Sequence, residues 1–202
     1  SGSGGTIDAS QENVIKVCGE GTTLTEAIDN VSLNDGKEIY MSETKLLILG
    51  KGFDEISVTE TLDILFREMR CGLNMPICCA DNAEELTEIH FTEGMTASEK
   101  PLSIIENSDR AGRAPKTLLL DVLADSEGER EVLIPHFALT ENGSSVTTDD
   151  SGITAVIDGT YLVSGGRLKN FRDETETIGL MLIGGKKDSI TLNYLYDGSE
   201  RT

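Results

Sequence analysis

The chain contains no tryptophan, and aromatic residues make up only 4% of it. Basic residues are also scarce, because 17 Lys and Arg stand against 36 Asp and Glu, which gives a formal net charge of −19. Such a surface repels phosphate groups and argues against nucleic-acid binding through a basic patch. It also repels anionic lipid headgroups, unless a lipid attached to the protein holds it at the membrane.

Long apolar runs, cysteines and histidines are few as well. No apolar stretch approaches the roughly 20 residues that a membrane-spanning helix needs. Four cysteines at irregular spacing do not indicate a disulfide framework. Cys78 and Cys79 are adjacent, and His90 and His136 have no partner at ligand spacing, so no metal site is predicted. We expect Cys78 and Cys79 to be buried, metal-free thiols, with a vicinal disulfide as the alternative.

Motifs that carry catalysis are absent or incomplete. The segment 179–187 differs from a phosphate-binding loop because Gly185 stands where the lysine should be. No Gly-x-Ser-x-Gly nucleophile elbow occurs. A nucleophile formed by Cys71 or Cys79 with His136 is left open, although nothing in the local sequence favours it. We therefore predict no catalytic, cofactor-binding or metal-binding residues.

One apolar run organises the first half of the chain. Residues 45–50 form a continuous apolar segment of strand length, with an amphipathic helical pattern on each side. Such a run is typical of a strand that is covered on both faces. We expect Leu46 to Leu49 to be an interior strand of the sheet.

Capping signals and further apolar runs complete this half. Thr23 with Glu26, and Ser57 with Glu60, have the spacing of capping boxes at the starts of two helices. The other predicted elements are strands at 14–18 and 75–80 and a short helix after Asn82. The resulting order is βαβαβα, which is typical of a sheet flanked by helices.

The second half is predicted to be helices followed by mainly antiparallel strands. One helix begins at a capping box of Thr96 with Glu99, and another follows the Ala114-Pro115 breaker. Strands are predicted at 132–135, 153–157, 161–163, 178–183 and 190–196, with turns at Asp158-Gly159 and Gly184-Gly185. The fold class is therefore mixed α+β and α/β. We divide the chain into a linker remnant (1–5), an α/β subdomain (6–93) and an α+β subdomain (94–202), with a linker at 92–94.

An ordered set of sequence runs resembles the N-terminal region of the Ger(x)C family, the lipoprotein C subunits of spore germinant receptors. The runs lie at 21–32, 36–40, 45–50, 62–67, 118–123, 132–135, 159–168 and 176–180. Two positions depart from the family pattern: Ser42-Glu43 replaces a common Gly-His, and Ile178 replaces the usual Arg. The chain ends where the family's C-terminal domain begins and lacks the signal peptide and lipidated cysteine, so an N-terminal fragment is expected.

The resemblance implies a non-enzymatic subunit of a nutrient germinant receptor that acts by protein–protein contact. It also implies a lipid anchor at the outer face of the spore inner membrane, beside integral-membrane A and B subunits. The turns carrying Ser42, Glu43, Gly165, Gly166 and Arg167 are candidate contact loops, because loops on a rigid scaffold often carry function. The alternative is a small-ligand (nutrient) binding domain of an extracytoplasmic lipoprotein, with its site at the carboxyl ends of the strands.

Overall fold

The computed structural model describes residues 15–53, 55–88, 99–124, 131–141, 153–185, 194–196 and 199–201. The helices are α1 (Leu24–Asp35), α2 (Val58–Met69), α3 (Ala83–Glu88), α4 (Glu99–Ala111), α5 (Leu119–Ala124) and α6 (Glu174–Ile183). The strands are β1 (Leu47–Leu49), β2 (Ile77–Ala80), β3 (Val132–Glu141), β4 (Ile153–Ser164), β5 (Arg167–Asp173), β6 (Tyr194–Tyr196) and β7 (Ser199–Arg201). A short 3-10 helix, Met41–Glu43, precedes β1.

Five strands form one mixed sheet in the order β1-β2-β3-β4-β5. The first three strands are parallel, whereas β4 is antiparallel to both β3 and β5. Strands β6 and β7 form a separate antiparallel pair. The predicted mixed α+β fold with helices flanking a mixed sheet is confirmed. The sheet takes strands from both sides of the proposed boundary at 93/94, and the predicted linker at 92–94 lies outside the described residues.

Helices cover both faces of the sheet. On one face, apolar side chains of α2 and α5 pack against the strands. On the other face, α3 and α4 cover one end, and Met181 of α6 covers the other end beside Leu133 and Leu162. A Thr160–Thr177 hydroxyl hydrogen bond of 2.8 Å, which is buried, further joins α6 to β4. Successive strand residues point to opposite faces, so β1, β2, β3 and β4 each contribute apolar side chains to both faces of the sheet.

The capping signals correctly mark the helix starts within the described residues. The hydroxyl of Thr23 accepts a hydrogen bond from the backbone N–H of Glu26, and Ser57 does the same for Glu60. The amide oxygen of Asn82 accepts from the backbone N–H of Glu85 at the start of α3. These side chains satisfy amides that the first turn of a helix leaves without partners. Thr96, the predicted start of the next helix, lies outside the described residues.

The predicted interior strand at Leu46 to Leu49 is wrong in its position, because β1 is an edge strand of the five-stranded sheet. Both of its faces do contact apolar clusters: Leu47 and Leu49 belong to one cluster, Leu46 and Ile48 to the other. A continuous apolar run therefore indicates that both faces of a strand are covered by other elements. It does not indicate whether the strand has one neighbouring strand or two.

The predicted strand at 14–18 is also wrong over its described part. Residues 15–18 have no regular secondary structure, and Ile15 and Val17 are 66% and 44% exposed. Val14 lies outside the described residues. Strand-like composition alone does not produce a strand, because the extended backbone needs a hydrogen-bonding partner.

The predicted strand at 178–183 is the second half of helix α6. The side chain of Asp173 accepts from the backbone N–H of Glu176, and the Glu176 side chain accepts from the Asp173 backbone N–H, which completes a capping box. This capping box places the start of α6 at Glu174, before the apolar run at 178–183. The predicted hairpin turn at Gly184-Gly185 is consequently the end of α6.

The predicted turn at Asp158-Gly159 is a β-bulge within the continuous strand β4. His136 of β3 lies opposite Gly159, while Phe137 lies opposite Ile157, so Asp158 is the extra residue. A bulge interrupts the alternation of side chains between the two faces of a strand, as a turn does, but the strand continues through it. Of the last predicted strand, residues 194–196 form β6, and residues 190–193 lie outside the described residues.

Two glycine substitutions test these assignments in opposite directions. A Cβ at Gly159 would overlap the Arg172 carbonyl oxygen and lie 2.6 Å from Cζ of Phe171, whereas a Cβ at Gly179 meets nothing within 4 Å. We expect Gly159→Ala to destabilise the protein by about 1–3 kcal/mol through overpacking. We expect Gly179→Ala to stabilise it by about 0.5–1 kcal/mol, because alanine favours a helix. Urea unfolding of both variants measures the difference, and equal effects would contradict the bulge and the helix.

Candidate functional site

The first candidate contact loop is the 3-10 helix before β1. Ser42 and Glu43 are exposed, whereas the preceding Met41 packs against the apolar cluster under α2. The backbone N–H of Thr44 donates to the Met41 carbonyl and closes the turn. The loop therefore presents a hydroxyl and a carboxylate from a backbone that is anchored by its neighbours.

The second candidate contact loop is the tight turn between β4 and β5. Gly165 and Gly166 have φ values of 58° and 72°, which is the backbone that two-residue hairpins require and glycine adopts without strain. The Gly166 carbonyl accepts a hydrogen bond of 3.2 Å from the backbone N–H of Thr59, the second residue of α2. The Arg167 guanidinium donates to the Glu55 carbonyl at 3.1 Å. The turn is thus fastened to the start of α2.

The two loops lie at the same end of the sheet but far apart. The 3-10 helix precedes β1, and the turn follows β4, which is antiparallel to the parallel set. Three to four strand spacings separate them, which corresponds to roughly 14–20 Å. A partner that touches both loops must therefore span most of the width of this end.

A third group of polar side chains lies nearer the carboxyl ends of the parallel strands. His136 lies in β3, directly beside Cys79 of β2, and its side chain is only 5% exposed. Its Nδ1 is 2.8 Å from a carboxylate oxygen of Asp158, the extra residue of the bulge. The rings of Tyr161 and Phe171 contact the imidazole edge-on, each with a centroid distance of 5.4 Å.

The hydrogen bond to Asp158 makes Nδ1 of His136 the donor. A carboxylate only accepts hydrogen bonds, so Nδ1 carries a proton, and in the neutral imidazole Nε2 presents a lone pair. Nε2 is buried and has no hydrogen-bond partner within the described part of the chain. The nearest charged atom is Oδ1 of Asp81, 3.6 Å away on a side chain that is 82% exposed. In the neutral imidazole, two acceptors therefore face each other at this position.

The sequence patterns do not predict this arrangement. In the sequence, His136 has no partner at metal-ligand spacing and is otherwise a candidate base for a cysteine, and the Asp158-Gly159 pair indicates a turn. The available signal was a Gly inside an alternating strand pattern, which indicates a bulge. A bulge redirects the side chain of the extra residue, and here that side chain reaches the histidine of the neighbouring strand.

The environment of the cysteines is unfavourable for a cysteine nucleophile. Cys71, Cys78 and Cys79 are buried, as expected for Cys78 and Cys79, and Cys18 is exposed. Burial raises the pKa of Cys71 and of Cys79, and it raises the pKa of Cys78 to about 12. A negative charge on Cys78, which forms only at high pH, and the negative charge of Asp81 raise the pKa of Cys79 further. A thiolate at Cys79 is therefore disfavoured, even though His136 lies beside it.

The described surface also has a concave feature beside α1. An open depression of about 600 Å³ lies at the end of α1, lined by Asp29, Ser32, Leu33, Gly36, Lys37 and Glu38. Among the described residues, no group of three or more His, Cys, Asp or Glu side chains is arranged to hold a metal ion. Within the same residues, every helix is too short or too polar to cross a bilayer.

Thiol reactivity tests the assignment of the cysteines. In the native protein we expect a thiol reagent to label one cysteine rapidly at pH 7.5, because Cys18 is exposed and the other three are at most 3% exposed. All four should react in denaturant. Cys18→Ser should abolish the rapid phase and leave the native circular dichroism unchanged. Rapid labelling of Cys79 in that variant, lost in His136→Asn, would instead support a cysteine–histidine pair.

Comparison with known proteins identifies the family. Residues 1–139 match the family model described as "Spore germination protein N-terminal domain". A search of curated proteins gave no match. Among solved structures, the chain is similar to the one titled "Crystal Structure of the GerBC protein", with a TM-score of 0.51 and 18% identity. That similarity covers 87% of this chain and 48% of the GerBC chain, so this chain spans about half of that length.

The matched residues include β1, β2 and most of β3, which form the parallel part of the sheet. The likeness to GerBC supports the same mixed fold over most of the chain. The sequence runs at 45–50 and 132–135, which carried the resemblance, form β1 and the start of β3. The chain belongs to the spore germination protein family, as an N-terminal region of a Ger(x)C protein.

Proposed function

We propose that this chain is part of a non-enzymatic subunit of a spore nutrient germinant receptor. The observation that carries the proposal is the match to the spore germination family over residues 1–139. The subunit acts by protein–protein contact with integral-membrane A and B subunits. A lipid anchor at its N-terminus holds it at the outer face of the spore inner membrane.

The burial of the thiols supports a role without catalysis. Three of the four cysteines are buried, and the pKa of each of these three thiols is raised by desolvation. A reactive cysteine needs the opposite environment, one that is electropositive and partly exposed. His136 therefore has no activated nucleophile beside it among the described residues.

The charge of the chain explains why the subunit needs an anchor. A net charge of −19 opposes contact with anionic headgroups. A lipid anchor overcomes this repulsion and confines the domain near its partners, which raises their effective concentration without a strong pairwise affinity. Each contact surface can then be small.

The proposed contact surfaces are two loops at one end of the sheet, Ser42-Glu43 and 165–167. We call them the membrane-subunit loops. Both lie at the end of the sheet where the parallel strands begin, and both are supported by packed neighbours. Glu43 and Arg167 provide exposed charges of opposite sign. A partner surface with a positive charge opposite Glu43 and a negative charge opposite Arg167 is complementary to this end of the sheet.

A second candidate function is the binding of a small ligand at the other end of the sheet. One observation favours it: the buried Nε2 of His136 faces the Asp81 carboxylate and has no partner within the described residues. Open α/β sheets often bind ligands at the carboxyl ends of their parallel strands. This function is compatible with the receptor role, because it uses the opposite end of the sheet.

Charge reversal in the loops tests the receptor role. In spores that carry the full-length lipidated protein, we expect Glu43→Lys and Arg167→Glu each to reduce co-purification of the A and B subunits several-fold. Asp29→Lys, which changes an exposed carboxylate on α1, is the matched control and should have no effect. Thermal unfolding separates lost contact from lost folding.

Two results would overturn this proposal. One is normal recovery of the A and B subunits with both loop variants, which would remove the loops from the interface. The other is normal germination of spores that lack the protein altogether, which would remove the receptor role itself. Turnover of a substrate by the isolated chain would contradict the non-enzymatic assignment.

Vesicle binding tests the need for the anchor. We expect the chain without lipid to remain in the supernatant when it is mixed with anionic vesicles at about 0.15 M salt, because the repulsion is screened only beyond roughly 8 Å. A version with a covalent N-terminal lipid should float with the same vesicles. Co-sedimentation of the lipid-free chain would show that its surface itself binds membranes.

A further inference from the structure

The contact between His136 and Asp81 places two hydrogen-bond acceptors face to face. Nδ1 of His136 donates to Asp158 at 2.8 Å, so in the neutral imidazole Nε2 carries a lone pair. Oδ1 of Asp81 lies 3.6 Å from that nitrogen, and Nε2 is shielded from solvent without a partner in the described residues. A buried acceptor without a donor costs free energy. The arrangement therefore favours an electropositive species, a proton or a metal cation, between the two atoms.

The separation distinguishes a proton from a metal cation. A charge-assisted hydrogen bond between imidazolium and carboxylate needs about 2.7–2.9 Å between the heavy atoms, which is well below the observed 3.6 Å. A zinc ion with bonds of about 2.0–2.2 Å to each atom spans 3.6 Å at an N–Zn–O angle of about 120°. This angle is close to that of a tetrahedral or trigonal site.

We propose that Nε2 of His136 and the carboxylate of Asp81 bind a divalent transition-metal cation of the zinc type. Imidazole nitrogen selects such ions over Mg²⁺ and Ca²⁺, which prefer oxygen ligands. Asp158 orients the imidazole through Nδ1, the nitrogen that does not face the ion. Histidines that bind metals commonly donate their other N–H to a carboxylate in this way. The bulge of β4 supplies that carboxylate.

Access and coordination number set the character of the site. Asp81 follows the end of β2 and its side chain is 82% exposed, so an ion from solvent can reach the carboxylate first and then Nε2 of His136 beside it. The described residues offer two ligands, fewer than a structural zinc site uses, and water completes the shell. The site is therefore exchangeable, and its occupancy responds to the metal in the surroundings. This inference goes beyond the proposed receptor role and does not depend on it.

Zinc titration tests the proposal on the tag-free 202-residue chain in a Cys18→Ser, His90→Gln background, which leaves His136 as the sole histidine. Excess Mg²⁺ occupies unspecific carboxylate sites. We expect calorimetry to show one saturable Zn²⁺ site. Asp81→Asn should weaken it at least about tenfold, and Asp158→Asn about 10–100-fold. Asp29→Asn, the same change at an exposed position on α1, should leave the affinity unchanged.

Nuclear magnetic resonance provides the second measurement, because it reports on His136 directly. We expect Zn²⁺ to shift the ¹⁵N resonance of Nε2 in the same background and not in its Asp81→Asn variant. Circular dichroism and thermal unfolding verify that each variant is folded. The proposal is overturned by the absence of a saturable site, by an Asp81→Asn affinity equal to that of the parent, or by an Nε2 resonance that responds to pH but not to Zn²⁺.

Discussion

The fold depends on the two different pairings of β3. This strand is parallel to β2 on one side and antiparallel to β4 on the other. Parallel neighbours need long crossover connections, and α2 supplies one between β1 and β2, whereas antiparallel neighbours can follow each other through short turns. Residues 132–137 are consequently buried without interruption. The helical half and the hairpin half of the chain meet at this one strand.

The bulge in β4 is the irregular feature with the largest chemical consequence. Gly159 has no side chain, so β4 can approach β5 closely. The ring of Phe171 lies where a Cβ at Gly159 would be. The extra residue, Asp158, reaches the imidazole of His136 on the neighbouring strand. The same ring of Phe171 then covers one side of that imidazole. One inserted residue thus produces a buried histidine whose Nδ1 is held by a carboxylate and whose Nε2 has no hydrogen-bond partner in the described structure.

The sequence predicts those parts of the fold that depend on local interactions. The cap residues Thr23, Ser57 and Asn82 act within three positions of themselves, and the structure confirms all three. The Gly165-Gly166 turn is likewise a local property of two glycines. The order of the predicted elements, helices alternating with strands and then antiparallel strands, indicates a mixed sheet, and the likeness to GerBC supports the same fold.

Long-range pairing is where prediction from the sequence is limited. The apolar run before Gly50 shows that two faces are covered, but the number of neighbouring strands depends on residues far away in the chain. The run at 178–183 is apolar enough for a strand or a buried helix, and only the Asp173–Glu176 capping box decides between them. The His136 site needs a bulge register between two strands, which no spacing in a single strand reveals.

The two ends of the sheet differ in how firmly they are connected to the helices. At one end, the turn at Gly166 is hydrogen-bonded to the start of α2, and Leu168 just after it packs in the same apolar cluster as Val58. The turn and the start of α2 are therefore packed as one unit. At the other end, His136 contacts strand residues and the exposed carboxylate of Asp81. A partner bound at the first end would therefore contact a unit that includes a helix, whereas a cation bound at the second end would lie where β2, β3 and β4 pair.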